Sequence, residues 1–141
     1  MNSNAKQIET ATRKFQKELN SGAVSLVLLA LFAESRKALY GYEIARRLES
    51  RVDGDLPMNQ GALYPVLRSM QKQELLISEV QPSVSGPPRR YYRITKTGRQ
   101  VLKQWKATWR NTTQFVNSII GDDHAGYAEV PRAKVPRSPR S

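Results

Sequence analysis

The chain has no cysteine, which excludes disulfide scaffolds, thiolate catalysis and cysteine-ligated zinc. Its one histidine, His124, supplies neither a histidine metal cluster nor a Ser-His triad set in a wider constellation. Long apolar runs are also missing. Val24–Phe32 falls far short of the roughly 20 residues that a membrane span needs. The first twenty residues contain no hydrophobic signal core. The chain therefore reads as cytoplasmic, with no membrane partner. Acids are scarce: 23 Lys and Arg stand against 12 Asp and Glu, a formal net charge of +11. That excess suits an anionic partner, nucleic acid or an acidic membrane surface, and charge alone does not choose between them. The closest acidic pair outside the C-terminal tail, Asp53 and Asp55, flanks a glycine and precedes Pro57, so it reads as a turn. No cofactor, metal site or enzymatic activity is expected.

With 141 residues, 39% of them hydrophobic, the chain is long enough for one domain around a modest core. Ile8, Ala11, Phe15 and Leu19 recur at helical spacing, predicting a narrow amphipathic helix from about Ala5. Such a helix is marginal alone in water and needs a partner surface, another subunit being one; a floppy tail is the alternative. Asn20-Ser21-Gly22 interrupts the pattern and provides cap candidates. Val24–Phe32 is apolar nearly all round, and its length, alanines and leucines favour a central helix over a buried strand. Glu34–Tyr40 reads as a charged connection, and Gly41–Leu48 as a second helix with Ile44, Ala45 and Leu48 inward.

Asn59–Ser78 shows the clearest two-sided pattern. Leu63, Val66, Leu67 and Met70 form one apolar face; Gln60, Tyr64, Arg68 and Gln71 form the other, almost without acid. Periodicity alone is equally met by an ordinary surface helix. Leu75–Pro82 reads as a strand anchored by Ile77 and Val80, and Arg89–Ile94 as its return, with Tyr92 and Ile94 sharing a face. Together they make a hairpin with a basic, proline-stiffened base. Thr95 or Thr97 caps a last helix of about 20 to 24 residues, whose Leu102, Trp105, Trp109 and Val116 fall near one stripe. Two tryptophans are costly to leave in water, which points to a second copy of the chain; closure over the chain's own core and a cavity for a planar ligand are the alternatives. Residues 121–141 alternate Pro131, Pro136 and Pro139 with Arg132, Lys134, Arg137 and Arg140 and read as a disordered basic tail.

Two helices followed by a basic hairpin match helix-turn-helix grammar with a wing. In that frame Asn59 and Gln60, at the start of the third helix, carry amides suited to base edges. Tyr64, Arg68 and Lys72 follow as phosphate or base contacts, and Arg89 and Arg90 sit on the wing. Arg46 and Arg47 are further candidates for phosphate, or a solvated face.

The blocks GYEIARRL, GALYPVLRSMQKQELL and GPPRRYYRITKTGRQVL resemble the successive blocks of the PadR family of bacterial regulators, from about Ser21 to Trp109. The resemblance implies a mainly α fold with a small β-hairpin wing: a winged helix-turn-helix with extra N- and C-terminal helices used for dimerisation. It divides the chain into an N-terminal extension (1–20), a DNA-binding domain (21–94), a dimerisation helix (95–120) and the tail (121–141). It implies a homodimer that binds a pseudo-palindromic operator in double-stranded DNA, usually as a repressor, and associates with the nucleoid when bound. Phe15, Leu19, Leu102, Trp105, Trp109 and Val116 are then the candidate dimer interface. Some members bind planar hydrophobic effectors near that interface. The short C-terminal part resembles the compact subgroup, and the N-terminal extension is shared with a cyanobacterial member that lengthens the circadian period. A protein-interaction module with the same fold and little DNA affinity is the competing reading.

Overall fold

A computed structural model of the chain describes residues 3–52 and 60–121. The elements are α1 (Ser3–Glu34), β1 (Leu39–Tyr40), α2 (Gly41–Glu49), a 3-10 turn (Gln60–Ala62), α3 (Leu63–Lys72), β2 (Leu76–Gln81), β3 (Arg89–Ile94) and α4 (Lys96–Ile120). The three strands form one antiparallel sheet in the order β1-β3-β2. The chain divides into two units, Met1–Trp105 and Lys106–Ser141. The first holds the core; the described part of the second is the remainder of α4 and Gly121.

The core forms where α1, α2, α3 and the sheet each turn their apolar side inward. Leu28, Leu29, Phe32, Leu39, Ile44, Leu67, Met70 and Leu76 are fully buried. Each such side chain contributes about 1.5–3 kcal/mol relative to exposure. Phe32 meets Tyr92 with ring centroids 6.4 Å apart, joining α1 to β3. The third-helix pattern resolves as expected: Leu63, Leu67 and Met70 are buried, while Tyr64, Arg68 and Lys72 are exposed.

Three expectations are corrected. The Asn20-Ser21-Gly22 interruption does not occur: α1 runs through it unbroken. A mid-helix glycine costs about 1 kcal/mol against alanine, and the buried Val24–Phe32 segment outweighs that. Beyond it the helix is carried by exposed i, i+4 pairs, Arg13 with Glu9 at 2.9 Å and Lys14 with Glu18 at 2.7 Å. Next, the connection Glu34–Tyr40 contains a strand, because Leu39 and Tyr40 pair with Tyr92 and Tyr91 of β3. Finally, β2 is anchored by its first residue Leu76 and by Leu75 just before it, 2% and 3% exposed, whereas Ile77 and Val80 are about half exposed. Side chains alternate along a strand, so with Leu76 inward Ile77 faces out.

The exit of α3 decides how the hairpin and α4 attach. Glu74 adopts φ 65°, its N–H donates to the Gln71 carbonyl (2.9 Å), and the Leu75 N–H donates to the Met70 carbonyl (2.9 Å). This is a Schellman closure, with buried Met70 and Leu75 as its apolar partners. Thr95 then locks α4 to it. Its N–H donates to the Leu75 carbonyl at 3.0 Å, its hydroxyl to the Glu74 carbonyl at 2.8 Å, and its Oγ1 accepts from the Gly98 N–H at 2.9 Å. Thr95, and not Thr97, is therefore the cap. Gly98 sits so close to this junction that a Cβ there would lie 2.3 Å from the Leu75 carbonyl oxygen.

Candidate nucleic-acid interface

The α3 stripe and the hairpin meet around one open groove of about 590 Å3, lined by Tyr64, Arg68, Gln71, Lys72, Arg90 and Tyr92. Its three cations face no acidic side chain in that lining. The hairpin is fixed to α3 by a polar relay: Arg90 Nη1 donates to Ser78 Oγ (2.9 Å), which donates to Gln71 Oε1 (2.9 Å). The wing arginine is thereby held in register with the third helix by a residue of that helix. Burial pushes the Tyr92 hydroxyl above its ordinary value, against the opposing fields of Arg90 and Arg68, so it remains a neutral donor and acceptor at neutral pH.

Tyr64 is 53% exposed, and its hydroxyl lies where a Cβ on Gly41 would stand 2.7 Å away. Gly41 thus provides the notch that lets α2 and α3 approach with the Tyr64 ring between them. Tyr40, the residue before α2, donates its N–H to Glu43 Oε1 at 3.2 Å, closing the first turn.

Arg89 is not part of the α3 groove. Adjacent strand residues face opposite ways, and the Arg89 guanidinium lies 4.4 Å from the centroid of the Tyr40 ring. Tyr40 in turn contacts Tyr91 (5.2 Å) and Tyr42 (6.3 Å), and the Tyr42 hydroxyl accepts a hydrogen bond from Arg46 at 3.0 Å. That bond raises the pKa of the Arg46 guanidinium further. A ladder in which Arg89 and Arg46 bracket the paired rings of Tyr40 and Tyr42 therefore joins the outer side of β3 to α2. Arg46 is exposed and Arg47 half-buried.

Of the candidates taken from the sequence, the fold brings together Tyr64, Arg68, Lys72 and Arg90, and places Arg89 with Arg46 on the ladder. Asn59 lies outside the described residues, as do the Gln60 side chain, the Asp53–Asp55 turn, His124 and the tail from 122 onward. Gln71, Ser78, Tyr40 and Tyr42 were not singled out from the sequence as site residues. The signal available for the last two was their pairing around Gly41. Among the dimer candidates, Phe15, Leu19, Trp109 and Val116 are 42–62% exposed, and Trp105 rests partly on the core. Leu102 is a correction: at 4% exposure it is consumed by its own chain's core and has no surface to offer a partner.

Among the described residues there is no group of His, Cys, Asp and Glu able to hold a metal, and no helix long and apolar enough to cross a membrane.

Comparison with known proteins places this geometry. Residues 28–104 match the model of the transcriptional regulator PadR-like family. A PadR family transcriptional regulator from Eggerthella lenta is similar with a TM-score of 0.69 and 27% identity, covering 83% of this chain and 98% of its own. A PadR-like transcriptional regulator from Bacillus cereus is similar with a TM-score of 0.58 and 29% identity, covering 75% and 99% respectively. A transcriptional regulator from Clostridium thermocellum gives 0.63 and 26%, covering 73% and 95%. These relatives lend no support to the circadian assignment.

Proposed function

The chain belongs to the PadR-like family of transcriptional regulators, which bind DNA through a winged helix-turn-helix, and from that premise we propose that it is a homodimeric repressor of a pseudo-palindromic operator. The observation that carries this reading is the shared groove of α3 and the hairpin. It sets Arg68, Lys72 and Arg90 around one concavity without an opposing acid. Phosphate oxygens are the ligands such spacing suits, and they supply most of the affinity.

In this reading the N-terminal end of the third helix, with Asn59 and Gln60, meets base edges in the major groove. Tyr64 and Arg68 follow on the same stripe, and Lys72 reaches the backbone. Arg90 enters from the wing, and Arg89, Arg46 and Arg47 provide flanking phosphate contacts. The 21–94 segment is the DNA-binding domain, and the segments 1–20 and 95–120 serve dimerisation. The support for that last point is apolar surface: Ile8, Phe15 and Leu19 on α1, and Trp109, Phe115, Val116, Ile119 and Ile120 on the second unit, are all at least 42% exposed. A monomer rarely leaves so many large apolar side chains in water.

Selection of bound sequences from a random duplex library, followed by footprinting, tests the proposal. It expects two protected half-sites with centres one helical turn apart, about 34–36 Å. Equal protection of unrelated duplexes, with no preferred site, would falsify it.

A further inference from the structure

A second concentration of positive charge lies apart from the α3 groove. The end of α1, the turn after it, the end of β3 and the first turns of α4 enclose an open groove of about 520 Å3. Its lining includes Arg36, Lys37, Arg93 and Arg99, with Glu34 as the one acid. Glu34 is already neutralised by Arg51, whose guanidinium reaches both carboxylate oxygens at 2.5 and 2.8 Å. Lys37 is held loosely by Glu43 at 3.4 Å. The guanidinium groups of Arg36 and Arg93 make no hydrogen bond or ion pair among the described residues.

The cations are mounted on fixed supports. The Ser35 hydroxyl donates to the Lys37 carbonyl at 2.7 Å and accepts from the Lys37 N–H at 3.3 Å, so the turn that carries Arg36 is closed by its own side chain. Arg99 Nη1 donates to the Ala33 carbonyl at 3.3 Å, capping the end of α1 and fixing its guanidinium beside the groove. Arg93 and Arg90 are three positions apart on β3, and odd spacing sends them to opposite faces of the strand. Arg93 therefore lies on the face of β3 opposite Arg90, four residues along the strand from Arg89, which is held against Tyr40.

We infer that this groove, centred on Arg36 and Arg93, is a second binding surface for phosphate groups, separate from the recognition groove. Guanidinium pairs bind phosphate oxygens bidentately, and three of the four cations here are arginines. The lining offers a base no stacking surface: its one aromatic residue, Phe32, is 2% exposed, so what it presents to a ligand is chiefly positive charge. The phosphates come either from a small polyphosphorylated molecule or from the backbone of a second DNA segment. The inference does not depend on the repressor assignment.

The test uses the full chain with Arg68→Glu, which disables the recognition groove, and two double variants of equal charge change. Arg36→Gln/Arg93→Gln removes the proposed site; Lys6→Gln/Lys17→Gln removes two exposed charges from α1. Inorganic tripolyphosphate, by titration calorimetry, and a random-sequence duplex, by anisotropy, are the two probes. Each is expected to bind the Arg68→Glu protein, and the Arg36/Arg93 double variant is expected to lose at least tenfold on one or both. The Lys6/Lys17 variant should lose less than threefold. Loss on tripolyphosphate alone identifies a small phosphorylated ligand; loss on the duplex identifies a second DNA contact. Arg36→Lys/Arg93→Lys, which keeps charge and folding, should restore part of the binding. Equal losses in the two double variants, or no binding of either probe to the Arg68→Glu protein at low salt, overturns the inference.

Discussion

Two glycines inside helices respond to alanine with opposite signs. Helix propensity alone predicts that Gly→Ala stabilises each by about 0.5–1 kcal/mol. At Gly22 that is the whole effect, because a Cβ there meets nothing within 4 Å. At Gly98 the Cβ would lie 2.3 Å from the Leu75 carbonyl oxygen and 2.8 Å from Ile94 Cγ1. The nearer obstacle is backbone, and that same carbonyl accepts from the Thr95 N–H. Relief requires α4 to move off the hairpin by at least about 0.7 Å, into the range of overpacked cores that costs roughly 1–3 kcal/mol. The displacement also strains the Thr95 cap, which contributes about 1 kcal/mol. Against the propensity gain, Gly98→Ala is expected to lose roughly 1–3 kcal/mol. For a chain of this size that lowers the melting temperature by about 3–12 °C, while Gly22→Ala raises it by a few degrees. Thermal melts followed by circular dichroism, with urea titration for the free energy, measure both. A Gly98→Ala protein as stable as the parent would show that the junction yields at no cost, and the account of how α4 orients the hairpin would be wrong.

Removing one phosphate contact should act through salt. Arg68→Ala is expected to flatten the slope of log K against log salt by about one, on operator and unrelated DNA alike; an unchanged slope would remove Arg68 from the phosphate contacts. Tyr40→Leu takes the ring from beneath Arg89 and is expected to weaken operator binding about two- to fivefold, the equivalent of 0.5–1 kcal/mol. Tyr40→Phe should keep wild-type affinity, and identical behaviour of the two variants would end the positioning role of the ring. Tyr92 titrates above its ordinary value of 10.0 because it is buried. Its contribution to stability is therefore intact below about pH 10 and lost as the pH rises towards the folded value. The alkaline fall in melting temperature should be smaller in Tyr92→Phe, and parallel curves for the two proteins would refute the assignment.

Much of the protein was open to reading along the chain because it depends on local spacing. The buried face Leu63-Leu67-Met70, the exposed stripe Tyr64-Arg68-Lys72 and the inward pair Tyr92 and Ile94 each follow from helical or strand period. The excess of basic residues pointed to an anionic partner, and the PadR-like blocks carried the family. What period and composition do not carry is which strand edge meets which, and what stands opposite a given side chain. The strand at Leu39–Tyr40 exists only because β3 offers it partners. Ile77 and Leu76 are both good strand residues, and only the Schellman exit of α3, with Leu75 drawn onto Met70, chooses which points inward. Arg89 and Arg90 are neighbours in sequence and equal in charge, yet strand alternation and the positions of Tyr40 and Ser78 send them to different surfaces. Leu102 has the same spacing as the tryptophans after it, but contact with the core consumes it. The sequence by itself thus determined which residues are apolar, which are charged and at what period. The tertiary structure decided which charges share a groove, because that depends on contacts between segments many residues apart.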